Sequence, residues 1–216
     1  MSTLLLTEDE TMLQDAARGF LDGAAPVSHF RKLRDAGQTH DAKLWAEMAQ
    51  MGWTGVLVPE DAGGSDMGHA AAGVLAGELG KTLVTSPFIS TAVIAATALR
   101  QVATDRARDA LASIAAGDVI YGLAVDEGAK HDPDATQLEA RADGNGFRLS
   151  GTKGFVVDGG NADRLLVLAK TDAGLTLFDL PADRDGITRT GQNMVDARDA
   201  AQVTFDNVQR CAGIGR

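Results

Sequence analysis

Through the first 117 residues, apolar side chains recur every three or four positions; from Asp118 onward they gather into short runs and alternations. The first spacing predicts helices and the second predicts strands. Thr7 and Glu10 stand at capping-box separation, opening a helix whose Met12, Leu13, Ala16, Ala17, Phe20 and Leu21 share one face. Pro26 ends or redirects that helix. Asp41 starts another, with Leu44, Trp45 and Met48 at helical spacing. Between Gly55 and Gly64, Pro59 and three glycines interrupt the backbone ladder. Helical character resumes from about Gly68 to Leu79. Ser86 is the expected cap, and Pro87 the first-turn residue, of a helix through about Ala98. A last helix runs from about Asp105 to Ala116 and stops at Gly117.

The apolar runs after that point are Val119–Val125, Thr136–Ala142, Phe147–Leu149, Phe155–Val157, Leu165–Ala169, Leu175–Leu180 and Gln202–Phe205. Asp143-Gly-Asn-Gly146 joins two of them with a strong hairpin signal. Short strands at near-regular spacing, with no helices between them, predict an antiparallel barrel or sandwich. The expected fold class is therefore α+β by segregation, with a helical domain over 1–117 and a small β-domain over 118–216.

Composition narrows the function. A chain of 216 residues that is 44% apolar and 23% charged has the makeup of a globular protein, not of a disordered or fibrous one. Its net charge of −10 argues against nucleic acid, which needs clustered Lys and Arg. No apolar run approaches the roughly 18 residues of a membrane helix. Leu4–Leu6 is too short for a signal segment and lacks a basic flank. Cys211 is alone, so no intramolecular disulfide forms, and a reducing cytoplasm is the expected compartment.

Several motifs can be set aside. The glycine pairs at Gly63-Gly64 and around Asn145 supply neither a phosphate loop nor a βαβ setting. His29, His40, His69 and His131 are scattered, as expected of solvated surface histidines, and no metal site is expected. Ser65, Asp66 and His69 lie close together without the nucleophile elbow of a hydrolase. Asp132–Asp134 lacks the glycine and terminal glutamate of a calcium loop.

Three ordered stretches are more specific. Met51-Gly-Trp-Thr-Gly-Val-Leu-Val-Pro-Glu-Asp-Ala-Gly-Gly64 ends in Pro-Glu-x-x-Gly-Gly. Leu123-Ala-Val-Asp-Glu-Gly-Ala-Lys-His-Asp132 is similar, without gaps, to a Leu-Thr-Glu-Pro-Gly-x-Gly-Ser-Asp strand and loop. Gly151-Thr-Lys-Gly-Phe-Val-Val-Asp-Gly-Gly160 is similar to Gly-x-Lys-x-Trp-Ile-Thr-Asn-Gly, and Met194–Val208 closes on Thr-Phe-Asp-Asn-Val. In this order and spacing the chain resembles the acyl-CoA dehydrogenase family over almost its whole length. The resemblance implies a helical domain, a β-domain that holds FAD, and a C-terminal helical domain carrying a glutamate base. It implies α,β-dehydrogenation of an acyl-CoA thioester to the trans-2-enoyl product, with electron-transfer flavoprotein as acceptor.

By that resemblance the cofactor-binding positions are Leu123, Ala124, Val125, His131, Phe155, Val156 and Val157. Several depart from the family pattern. Val125 and Val157 stand where threonines would meet the flavin, Phe155 where a tryptophan would lie against it, His131 where a serine would hold the pyrophosphate, and Glu127 at the proline. Each lost hydroxyl bond removes about 1 kcal/mol of affinity, while Phe155 keeps a smaller stacking face. The chain reaches Arg216 just after the β-domain, so no acidic residue matches the family's base; Glu60, Asp61 and Asp158 read as structural, and no catalytic residue is named. This pattern resembles the diverged small subunits of heteromeric dehydrogenases, such as that of pimeloyl-CoA dehydrogenase. The expected partners are an acyl-CoA and a homo- or hetero-oligomer with a fuller chain. Two alternatives stay open: a catalytically silent structural subunit, and a flavin oxidase or monooxygenase on the same fold.

Overall fold

The computed structural model describes residues 5–215, so Leu4 and Arg216 lie outside it. Helix α1 (Glu8–Ala24) opens on the full capping box: the Thr7 hydroxyl accepts from Glu10 N–H, and the Glu10 carboxylate accepts from Thr7 N–H. Ala17 and Leu21 are buried and Leu13 and Phe20 pack beside them, but Met12 is 66% exposed and Ala16 also faces solvent. The buried stripe is thus narrower than the apolar pattern predicts. Pro26 both ends this helix and caps a helix that the pattern did not reveal, α2 (Val27–Asp35). Helices α3 (Ala42–Gln50, capped by Asp41) and α4 (Gly68–Lys81) follow the expected spacing.

Phe88–Ala95 forms a widened, π-helical segment that runs into α5 (Ala96–Arg100). Its cap position is Pro87, with no side-chain cap bond; Ser86 does not perform the expected role. Helix α6 (Asp105–Ala116) starts on the Thr104 hydroxyl and ends at Gly117, whose φ of 75° is the left-handed conformation glycine adopts without a Cβ penalty. Among the described residues no helix is long and apolar enough to cross a membrane.

Eight strands follow: β1 (Tyr121–Ala124), β2 (Glu139–Asp143), β3 (Gly146–Val157), β4 (Arg164–Thr171), β5 (Gly174–Pro181), β6 (Ile187–Gly191), β7 (Ala200–Cys211) and β8 (Gly213–Gly215). They form one sheet in the order β6-β7-β3-β2-β4-β5-β8, with β1 on β4. The β2–β3 hairpin turns where the sequence predicts, pairing Asp143 with Gly146. Three features depart from expectation. The two runs Phe147–Leu149 and Phe155–Val157 belong to one strand, β3, which bulges against β7 between Lys153 and Val156. Strand β1 runs parallel to β4, from Tyr121↔Arg164 to Ala124↔Val167, within an otherwise mostly antiparallel sheet. Strands β6 and β8 were not predicted.

Two apolar cores share this sheet. One fills the strand half with Ala124, Val156, Leu165, Phe178 and Phe205. The other lies among the helices and takes in Tyr121, Leu166 and Ile214 from the sheet. Strand β1 is pressed close to its neighbours at Gly122, where a Cβ would come within 3.1 Å of Val156 and 3.3 Å of Leu165. That close approach sets the end of β1 beside β3.

Candidate functional site

The segment after β1 is sewn to β3 at two consecutive residues. Lys153 Nζ donates to Val125 O at 2.7 Å, and Gly154 N–H donates to Asp126 O at 2.7 Å. Immediately beyond, Phe155 sits in the β3 bulge at φ 49° with its side chain 53% exposed. An exposed aromatic residue in the left-handed region is uncommon and needs surroundings that hold it there. Leu123, Val125 and Val157 are half-buried. Ala124 and Val156 are buried in the strand core, so those two positions offer backbone rather than side chain to anything bound outside. The strand end Leu123–Val125 and the bulge Phe155–Val157 therefore lie side by side and carry an aromatic and two valines.

His131 lies on the loop that follows β1. Its side chain is 73% exposed, and its Nδ1 is 3.0 Å from the Asp126 carboxylate, which also accepts from Asp132 N–H at 3.1 Å. The imidazole is thus tied to an acid. His29 also departs from the picture of solvated histidines: its Nε2 lies 3.2 Å from Asp41 Oδ2.

Beneath the face is a buried charge whose role the sequence did not disclose. The Lys153 side chain has no solvent exposure, and its ammonium meets Val125 O, Glu127 Oε1 at 2.8 Å and Thr136 Oγ1 at 3.5 Å. The Glu127 carboxylate accepts in addition from Gln137 N–H (2.9 Å) and Leu138 N–H (2.8 Å). Burial alone would raise Glu127, but the Lys153 ammonium and these two N–H groups outweigh it and hold the carboxyl below its usual range. The pair joins the end of β1, the bulge of β3 and the entry to β2. Both residues stood in motifs seen in the sequence; only the fold reveals that they meet.

On the far side of Val157, Asp158 adopts φ 54°. Burial pushes its carboxyl up to about 6; Ser90 opposes the rise, and Asp199 adds to it. Its Oδ2 is buried without a hydrogen-bond partner among the described residues. The following turn is held by Asp199, which accepts from Asn161 N–H at 2.9 Å, and by Arg189, which donates to Gly159, Gly160 and Ala162 carbonyls at 2.9–3.3 Å. Asp61 pairs with Arg108 at 3.3 Å on the surface.

Residues 7–118, more than half of the chain, match the acyl-CoA dehydrogenase N-terminal domain. The chain belongs to the acyl-CoA dehydrogenase family. It is 30% identical over 171 residues to acyl-CoA dehydrogenase FadE27 of Mycobacterium tuberculosis (strain ATCC 25618 / H37Rv), covering 79% of this chain and 45% of that protein. Among solved structures, a variant of the Tcur3481-Tcur3483 steroid ACAD superposes with a TM-score of 0.86 at 33% identity, covering 96% of this chain and 57% of the other. The ChsE4-ChsE5 complex from Mycobacterium tuberculosis gives a TM-score of 0.87 at 26% identity, covering 98% and 58%. The chain thus spans about half the length of the curated relatives it matches. The fold is the acyl-CoA dehydrogenase fold that the resemblance implied, and its helices-then-sheet order is the one the apolar pattern predicted.

Proposed function

We propose that this chain supplies the flavin-facing surface of an FAD-dependent acyl-CoA dehydrogenase, which works with a fuller chain to dehydrogenate an acyl-CoA thioester to the trans-2-enoyl product. The observation that carries this reading is Phe155, held exposed in the β3 bulge beside Val125 and Val157. Such an aromatic and aliphatic face fits the planar ring of a flavin. In this reading Phe155 would stack on the ring, Val125 and Val157 would exclude water from it, and the Leu123–Val125 backbone would offer it hydrogen bonds. Ala124 and Val156 fix that backbone from the core side, and His131 stands at the diphosphate end. Bound FAD would supply the acceptor for the hydride leaving the acyl β-carbon. No residue among 1–216 is proposed as the base for the α-proton.

Two solved relatives carry paired names, Tcur3481-Tcur3483 and ChsE4-ChsE5, which supports assembly into a hetero-oligomer. One is described as a steroid ACAD, so a steroid-bearing acyl-CoA is the first substrate to test. Electron-transfer flavoprotein is the proposed acceptor. Cys211, unpaired and buried, suits the reducing cytoplasm in which we place the chain.

The test is a titration of the purified chain, alone and with a full-length dehydrogenase, with FAD followed by flavin fluorescence and visible absorption. Saturable binding in the micromolar range, with a yellow protein after desalting, is expected. A colourless protein that fails to bind at tens of micromolar in both mixtures overturns the proposal. Val125 and Val157, which lack hydroxyls, favour a second reading: a catalytically silent subunit that stabilises an active partner. Copurification without any flavin contact from this chain, and activity abolished only by changes in the partner, would select it.

A further inference from the structure

We infer that Glu127 is a positioning residue that, through Lys153, anchors the loop 126–137 to the β3 bulge and so sets how tightly the Phe155 face holds FAD. The inference deepens the flavin reading and rests on it.

The geometry is that of a hub. One carboxylate receives the Lys153 ammonium at 2.8 Å, Gln137 N–H at 2.9 Å and Leu138 N–H at 2.8 Å. The same ammonium takes Val125 O at 2.7 Å, and the next residue along β3, Gly154, takes Asp126 O at 2.7 Å. Two residues after Lys153 comes Phe155, and Val125 is two residues before Glu127. Phe155 and Val125 are therefore each separated from the hub by a single intervening residue, and Val157 follows Phe155 along β3. Leu138 is buried and its carbonyl receives Lys170 N–H at 2.8 Å, so the far end of the loop is fixed in the sheet. Glu127 connects that fixed end to the start of the loop. Between them, Gly128, Ala129, Lys130 and Asp132 border a cavity of about 260 Å³ together with Val125 and Thr136, so loop packing does not fill this space. Asp126 holds the middle of the loop through Asp132 N–H and His131, and the charged hub ties both ends of the loop to β3, where a buried ammonium without its carboxylate has no equivalent partner.

Glu127→Gln tests this, because it preserves size and an acceptor oxygen but removes the charge that holds Lys153. In the folded variant, FAD affinity is expected to fall about tenfold. The absorption envelope of bound flavin should shift as Phe155 moves. Amide exchange at Gln137 and Leu138 should accelerate, and Lys153→Met should reproduce the affinity loss. A variant with reduced thermal stability but unchanged affinity per folded molecule would make Glu127 merely structural and overturn the inference. Unchanged exchange at Gln137 and Leu138 would overturn it as well. If the unaltered chain binds no FAD, the functional reading itself fails, and the exchange data separate the two cases: faster exchange in Glu127→Gln keeps the anchor but removes its flavin role, and unchanged exchange removes both.

Discussion

Asp158 holds a carboxyl in surroundings that disfavour its charge, raised from 3.8 to about 6 by burial and then by Asp199. The sign of the pH effect follows from proton counting. Below about pH 4 the group is protonated in folded and unfolded chains alike and contributes no difference. Between that pH and about 6 the unfolded chain has released its proton while the folded chain keeps it. Stability therefore falls as pH rises through this window, to a full penalty of at most about 3 kcal/mol above it. Asp158→Asn should remove the penalty, since asparagine also tolerates the left-handed backbone at φ 54°. Melting temperatures of the two proteins should converge near pH 4 and separate at pH 7.5, the variant being the more stable. Parallel profiles across that range would refute the assignment. The sequence marked Asp158 as a motif position but gave no means of finding its burial. Likewise Glu127 and Lys153 were visible as motif residues, whereas their ion pair spans 26 positions and exists only once β1 and β3 lie together.

Elements were legible where local chemistry decides them. Thr7, Asp41 and Gly117 act as the caps their positions suggest, because capping bonds reach only three or four residues. Elements decided by remote contacts were not. In the sequence β3 reads as two runs because Gly151 and Lys153 interrupt its apolar pattern, yet Lys153 is buried with its charge partner and Gly151 packs close to Leu138, which a Cβ there would approach at 3.0 Å. Strand β6 is short and mostly polar and exists through pairing with β7 from Ile187↔Phe205 to Gly191↔Ala201. A paired substitution separates the local from the tertiary part of a glycine's role. Gly117 and Gly37 share positive φ, 75° and 67°, but a Cβ at Gly117 would come within 2.4 Å of the Ala49 Cβ while one at Gly37 meets nothing within 4 Å. Gly37→Ala should cost about 1 kcal/mol from backbone strain alone. Gly117→Ala should cost clearly more, about 3 kcal/mol, because α3 and α6 must also move apart. Urea titrations measure both; equal losses would mean the Ala49 contact does not contribute.

At the scale of the molecule, the change from helices to strands at Gly117–Asp118 does not divide the interior at the same place. Tyr121, Leu166 and Ile214 come from the sheet and are buried in the helical core. A polar clamp spans the same junction: Asp179 on β5 is 3% exposed, accepts from Arg164 Nε at 2.8 Å and lies 3.6 Å from Arg106 Nε on α6. Arg106 also donates to the Asp179 carbonyl at 2.6 Å. Beside them, burial and then the Asp179 charge push the Tyr121 hydroxyl up to about 12, so it is neutral at pH 7. Because apolar burial and charge both bridge the halves, they should unfold together. Fluorescence of Trp45 and Trp53, both within the helical core, and amide exchange of β4 and β7 should report one midpoint. Asp179→Ala should lower stability by about 2–3 kcal/mol, less than for a sealed ion pair because both arginines still reach water. The apolar bridge through Tyr121 and Leu166 should nevertheless keep the transition single. Separate midpoints for the tryptophans and the strands, in either protein, would show that the helical and strand halves are independent folding units and that the shared core does not couple them.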